Sequence, residues 1–120
     1  MPFRPVDALL PLTPIAFEIL LALVEEDRHG YAILQAVEAR VKGRLPLRTG
    51  TLYRALARLV EDGLIEEVDG THASGAAGED SRRRIYAISR RGRSVARAET
   101  ERLADQVAAA RSRKLLPGRS

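Results

Sequence analysis

The sequence predicts a mainly α fold with a small antiparallel β-hairpin: a winged helix-turn-helix followed by a long C-terminal dimerisation helix. Three observations predict it. Apolar residues recur at helical spacing in three successive runs before Gly63, each closed by a Gly or a break in the pattern. Two short β-type stretches then flank a Gly-rich segment. A last run from Arg90 onward keeps a helical period for longer than a three-helix core can cover.

Each element has its own signal. Residues 1–12 read as a Pro-rich N-terminal tail with little to order it. Thr13-Pro14 reads as an N-cap with Pro at the first helical position, opening a helix to about Glu26. That helix is apolar nearly all round, which calls for cover on more than one side and hints at a second subunit. Residues 27–30 break the pattern. A second helix spans 31–41, with Ile33, Val37 and Val41 four apart, and Lys42-Gly43 ends it. Tyr31 is expected to pack between the second and third helices.

Leu45-Pro46-Leu47 is extended because the residue before Pro avoids the helical region. Thr49 is the expected N-cap of a third helix running to Asp62, stopped by Gly63. Strands are expected at 64–68 and 83–88, paired as a hairpin across the loop 70–81. Ser89 caps the last helix, 90 to about 115. The domains are therefore the tail 1–12, a winged helix-turn-helix at 13–89, and a dimerisation helix at 90–116.

Composition limits the function. The 120 residues carry no Cys and only two His, so thiolate metal sites and thiol nucleophiles are excluded and a zinc site lacks its ligands. No phosphate-cradling Gly loop, GxSxG or HExxH occurs, and adjacent acids such as Glu25-Glu26 read as solvated. No catalytic residue, metal or cofactor is expected. The longest apolar run, Ile15 to Val24, is interrupted by Glu18 and falls short of the roughly 20 residues a membrane span needs. The expectation is a soluble cytoplasmic protein away from membranes.

Charge points to a partner. Net charge is +4, and 13 of the 20 Lys and Arg lie in two acid-free windows, 39–60 and 81–98. Such segregation is the footprint of a nucleic-acid binder. In the third helix, Leu52, Leu56 and Leu59 form one stripe, while Thr51, Arg54 and Arg58 form the opposite one, flanked by Tyr53. The second helix of a helix-turn-helix enters the major groove with its N-terminal residues. Arg can take guanine O6 and N7 bidentately, and the Thr hydroxyl suits phosphate or thymine. The expected contacts with double-stranded DNA are Thr49, Thr51, Tyr53, Arg54 and Arg58, with Arg82, Arg83 and Arg84 on the wing. In the last helix, Ala96, Thr100, Leu103, Val107 and Ala110 recur at steps of three and four, a seam for a second copy. Leu103, Val107, Ala110 and Leu115 are the expected dimerisation residues.

These segments resemble the PadR-like transcriptional regulators. The resemblance is carried by LTPIAFEILLALVEEDRHGYAILQAVE (12–38), GTLYRALARLVEDGLIEE (50–67) and RRRIYAISRRGR (82–93). It implies a homodimeric winged helix-turn-helix that binds palindromic promoter DNA, usually as a repressor, with Gly50, Thr51, Leu52 and Tyr53 in its recognition helix. The single C-terminal helix resembles the small-bodied branch. Some members bind aromatic compounds between subunits in a Trp-lined pore. This chain has no Trp, and a small-molecule effector stays an open partner. The alternative is a winged-helix module whose basic face binds a protein or RNA.

Overall fold

The computed structural model describes residues 5–68 and 84–117. A short 3-10 helix, Val6–Leu9, precedes α1 (Pro14–Glu25), β1 (Arg28–His29), α2 (Gly30–Val41), α3 (Thr49–Glu61), β2 (Ile65–Val68), β3 (Ile85–Ile88) and α4 (Arg90–Ser112). The three helices and the long fourth follow the expected order. The loop 70–81 lies outside the described residues.

The core forms where helical stripes meet. Ile19, Leu20 and Leu23 of α1 pack with Ile33, Leu34 and Val37 of α2 and with Leu52, Leu56 and Leu59 of α3. Leu64, Ile65 and Tyr86 close it from the sheet, Val95 and Ala96 from α4. Side chains of this kind contribute roughly 1.5–3 kcal/mol each on full burial. The faces bearing Arg54 and Arg58 are left outside.

Helix ends follow local chemistry. Thr13 Oγ1 accepts from Ala16 N at 3.1 Å, with Pro14 as the first helical residue. Arg28 closes the other end of α1, its Nε donating to Ala22 O at 3.0 Å and its guanidinium reaching Glu25 at 2.6 Å and Glu26 at 3.4 Å. Gly63 has φ of +74°, and Leu64 N donates to Leu59 O, a closure that needs a left-handed residue. Ser89 Oγ accepts from Gly92 N at 3.0 Å and donates to Gly63 O at 2.7 Å, so one hydroxyl caps α4 and ties it to the end of α3. Gly92 permits that approach: a Cβ there would collide with Leu64 O.

Five expectations are corrected. The sheet has three strands, ordered β1-β3-β2 and all antiparallel, rather than two. Arg28 pairs with Tyr86 and His29 with Ile85. A two-residue strand has no periodicity to read, so it looked like a break. The tail 1–12 is not outside the fold from Val6 on. Leu9 is buried, and Val6, Leu10 and Leu12 pack on the core, where apolar burial outweighs the prolines. Thr49 is the first residue of α3 rather than its N-cap; Arg48 holds that position without a side-chain cap. Tyr31 is 49% exposed instead of packed between helices. Finally, α4 stops at Ser112, because Lys114 turns left-handed (φ +67°) and Leu115 N bonds back to Ala110 O. Leu115 therefore lies beyond the helix.

Candidate nucleic-acid interface

The turn between α2 and α3 sets the site. Lys42 and Gly43 both take positive φ, reversing the chain after α2. Half-buried Leu45 and Leu47 then anchor the segment to the core. This delivers Arg48, Thr49 and Gly50 to an exposed α3 N-terminus, whose first turn holds no acid. The positive end of the helix dipole adds to these charges.

Arg54 is exposed and leans back toward that end, as long helical side chains do. Its Nη1 lies 3.4 Å from where a Cβ on Gly50 would stand, so the absent side chain leaves the guanidinium room over the first turn. Neither Arg48 nor Arg54 makes an ion pair among the described residues. Arg58, one turn on, is exposed too, but its Nε lies 3.5 Å from Asp62 Oδ2. The acid-free window, 39–60, stops two residues short of that partner.

Thr51 is half-buried on the flank of this face. Tyr53 is corrected: it is half-buried against the core and its hydroxyl oxygen is shielded from solvent, so in this conformation it packs rather than meeting phosphate. The register explains it. Tyr53 follows Leu52 by one position, about 100° round the helix, at the edge of the buried stripe. Nearby Tyr86 is buried too, and burial followed by Glu67 pushes its phenol up, keeping it neutral.

The second basic window is used differently. Arg84 pairs with Glu67 at 3.0 Å across the sheet. Arg91 Nε donates to Asp62 O at 3.1 Å, closing the C-terminus of α3. Arg90, Arg93 and Arg97 are exposed on α4. The start of α4 is thus tied to the far end of α3, about 18 Å from its N-terminus at 1.5 Å per residue. Arg82 and Arg83 lie outside the described residues. Of the expected dimerisation residues, Leu103 and Ala110 are half-buried, while Val107 (40%) and Leu115 (75%) are exposed.

Reading the sequence missed Arg48 as a site residue. Its place between the Pro46 turn and the start of α3 was the available signal. Among the described residues no group of three or more His, Cys, Asp or Glu could hold a metal ion, and no helix is long and apolar enough to cross a membrane.

Known proteins place this arrangement. The model of the transcriptional regulator PadR-like family matches residues 19–98. A transcriptional regulator from Clostridium thermocellum superposes with a TM-score of 0.64 at 26% identity, over 82% of this chain and 87% of the other. A PadR family transcription regulator from hypervirulent Clostridium difficile gives 0.66 at 23% identity, over 83% and 97%. H. salinarum RosR gives 0.61 at 25% identity, over 90% and 99%. No curated protein matches the chain significantly. With two thirds of its length matched by the family model and its three helices, sheet and α4 in the same architecture, the chain belongs to the PadR-like family of DNA-binding transcriptional regulators.

Proposed function

We propose that the chain is a homodimeric repressor that reads a palindromic promoter site through the N-terminal end of α3. The observation that carries this reading is the placement of two arginines: Arg48 and Arg54 converge, exposed and with no ion pair among the described residues, on the N-terminal end of α3. Arg54 is the base-reading residue, and Arg48 and Thr49 hold phosphate. Arg58 contributes less, because DNA must displace Asp62. Thr51 lines the flank, and Tyr53 supports the helix from the core side.

The dimer reading rests on α4. Residues 104–109 are all exposed, and Val107, Leu115 and Leu116 remain uncovered by the chain's own core. Leu103, Val107 and Ala110 lie on one seam of α4, with Leu115 just past its end. A second copy packed there would cover them and present two recognition helices to half-sites roughly 34 Å apart, one turn of DNA.

The test begins with selection of bound duplexes from a random pool, followed by light scattering of the protein and of a variant truncated before Glu99. A palindromic consensus bound by a dimer, and lost on truncation, is the expected result. Binding without sequence preference, or a preference for RNA or an acidic protein over any duplex, overturns the reading. Repression is checked by a reporter carrying the selected site, whose output should fall when the protein is expressed.

A further inference from the structure

The fold does not explain Gly50. It is the second residue of α3, exposed and in ordinary helical backbone. Glycine destabilises a helix relative to alanine, unless the backbone needs a positive φ or a side chain would collide there. Gly43 and Gly63 take positive φ, and Gly92 faces Leu64 O across the start of α4. Gly50 does neither. Beyond its chain neighbours and the backbone of its own helix, a Cβ there would meet only Arg54 Nη1, at 3.4 Å. That is a contact with the far end of a flexible side chain, which the fold accepts. The position is flanked by Arg48 and Arg54, both exposed and without an ion pair among the described residues. No side chain caps this end of α3, and its first turn holds no acid.

We propose that Gly50 is a specificity-determining residue, whose bare Cα sets how deeply α3 seats in the major groove. Glycine serves where backbone and ligand must approach closely. Here the approaching group is the sugar–phosphate wall or a base edge of duplex DNA, drawn in by the two arginines on either side. A methyl carbon would stand about 1.5 Å off the Cα and hold the first turn away from the duplex. The two kinds of contact answer differently to such a shift. A hydrogen bond to a base edge needs its heavy atoms within about 3.2 Å. The attraction of a guanidinium to phosphates reaches over roughly 8–10 Å at ordinary salt. A small outward step therefore removes base reading by Arg54 and leaves most of the charge attraction in place. Gly50 thus serves discrimination between sites, and adds little to the affinity for duplex of any sequence. Its role rests on the reading of α3 as the DNA-reading helix above.

Gly50→Ala in the full chain tests this, with the parent beside it. The melting temperature should hold or rise, by roughly 2–4 °C, because alanine is the better helix former. Affinity for the duplex selected from a random pool should fall roughly tenfold or more. Affinity for duplex of random sequence, and its salt dependence, should stay close to those of the parent. A fall in melting temperature would show that the fold itself needs the glycine and overturn the proposal. Equal losses on both duplexes, or a loss on neither, would overturn it too. In an Arg54→Ala background, Gly50→Ala should still weaken binding to the selected duplex, measured at low salt. No further loss there would mean that Gly50 only gives Arg54 room, against a role in seating depth. A parent that prefers no duplex over any other removes the reading of α3, and the role of Gly50 with it. A discriminating parent with an equally discriminating Gly50→Ala removes the role of Gly50 alone.

Discussion

The two arginine-rich windows have similar composition and different surroundings. Residues 39–60 carry six basic residues and 81–98 carry seven, neither with an acid. In the first, Arg48 and Arg54 converge on the free end of α3. In the second, Arg84 is matched by Glu67 and Arg91 by a helix-terminal carbonyl, while Arg90, Arg93 and Arg97 are exposed without an ion pair among the described residues but stand on α4, whose start is tied to the far end of α3. Arg40 shows the same contrast inside the first window: its guanidinium clamps Glu18 across α1 and α2 at 2.8 and 3.2 Å, which raises the Arg40 pKa further. A count of positive charge is therefore a poor measure of a binding face. What decides is where each charge stands and whether it already has a carboxylate or a carbonyl, because a matched cation must give that partner up before it can neutralise a phosphate.

Substitutions can break this contrast at graded cost. The largest effect is expected at Gly92, in the second window. Gly92→Ala drives a methyl into Leu64 O and forces α4 off the sheet, costing about 3 kcal/mol or more. Thermal denaturation should show a large fall in melting temperature. An unchanged melt would mean that the junction yields freely. Arg54→Ala should leave the melt alone and erode discrimination at one base position by roughly 1–3 kcal/mol. Competition binding over single-base variants of the selected site measures it, and a uniform loss across all variants would place Arg54 on phosphate instead.

Arg91→Ala should invert that pattern, costing stability of about 1 kcal/mol through a lost hydrogen bond while the ranking of sites stays fixed. The smallest effect concerns an arginine beyond both windows. Arg102 holds the Glu99 carboxyl below the usual range, against the opposing push of burial. A depressed folded-state pKa contributes stability above the unfolded value and loses it as pH falls through the folded one. The melting difference between the parent and Glu99→Gln should therefore be constant near neutrality and shrink below about pH 4. A difference that grows on acidification would reverse the assigned direction.

Much of the fold was legible because its signals are local. The Thr13 and Ser89 caps, the Leu52–Leu56–Leu59 stripe and the Gly63 stop each need only a few neighbouring residues. What escaped depends on distant partners. β1 is a strand only because β3 lies beside it, and the N-terminal segment joins the fold because α4 and the core offer it an apolar face. The site divides in the same way. Arg54 was readable from helical spacing, whereas the cover over the Tyr53 hydroxyl and the Asp62 partner of Arg58 appear only in three dimensions.

The central claim is that the arginines of α3, at and near its exposed N-terminus, neutralise DNA, rather than the equally exposed Arg90, Arg93 and Arg97 at the start of α4. The salt dependence of binding to the selected duplex tests it most directly, in two triple variants: Arg48, Arg54 and Arg58 to Ala, and Arg90, Arg93 and Arg97 to Ala. Each lost phosphate contact lowers the log–log slope by about 0.9. The slope should flatten by about 1–2 for the α3 variant and stay unchanged for the α4 variant. An α4 variant whose slope flattens as much as that of the α3 variant would contradict it.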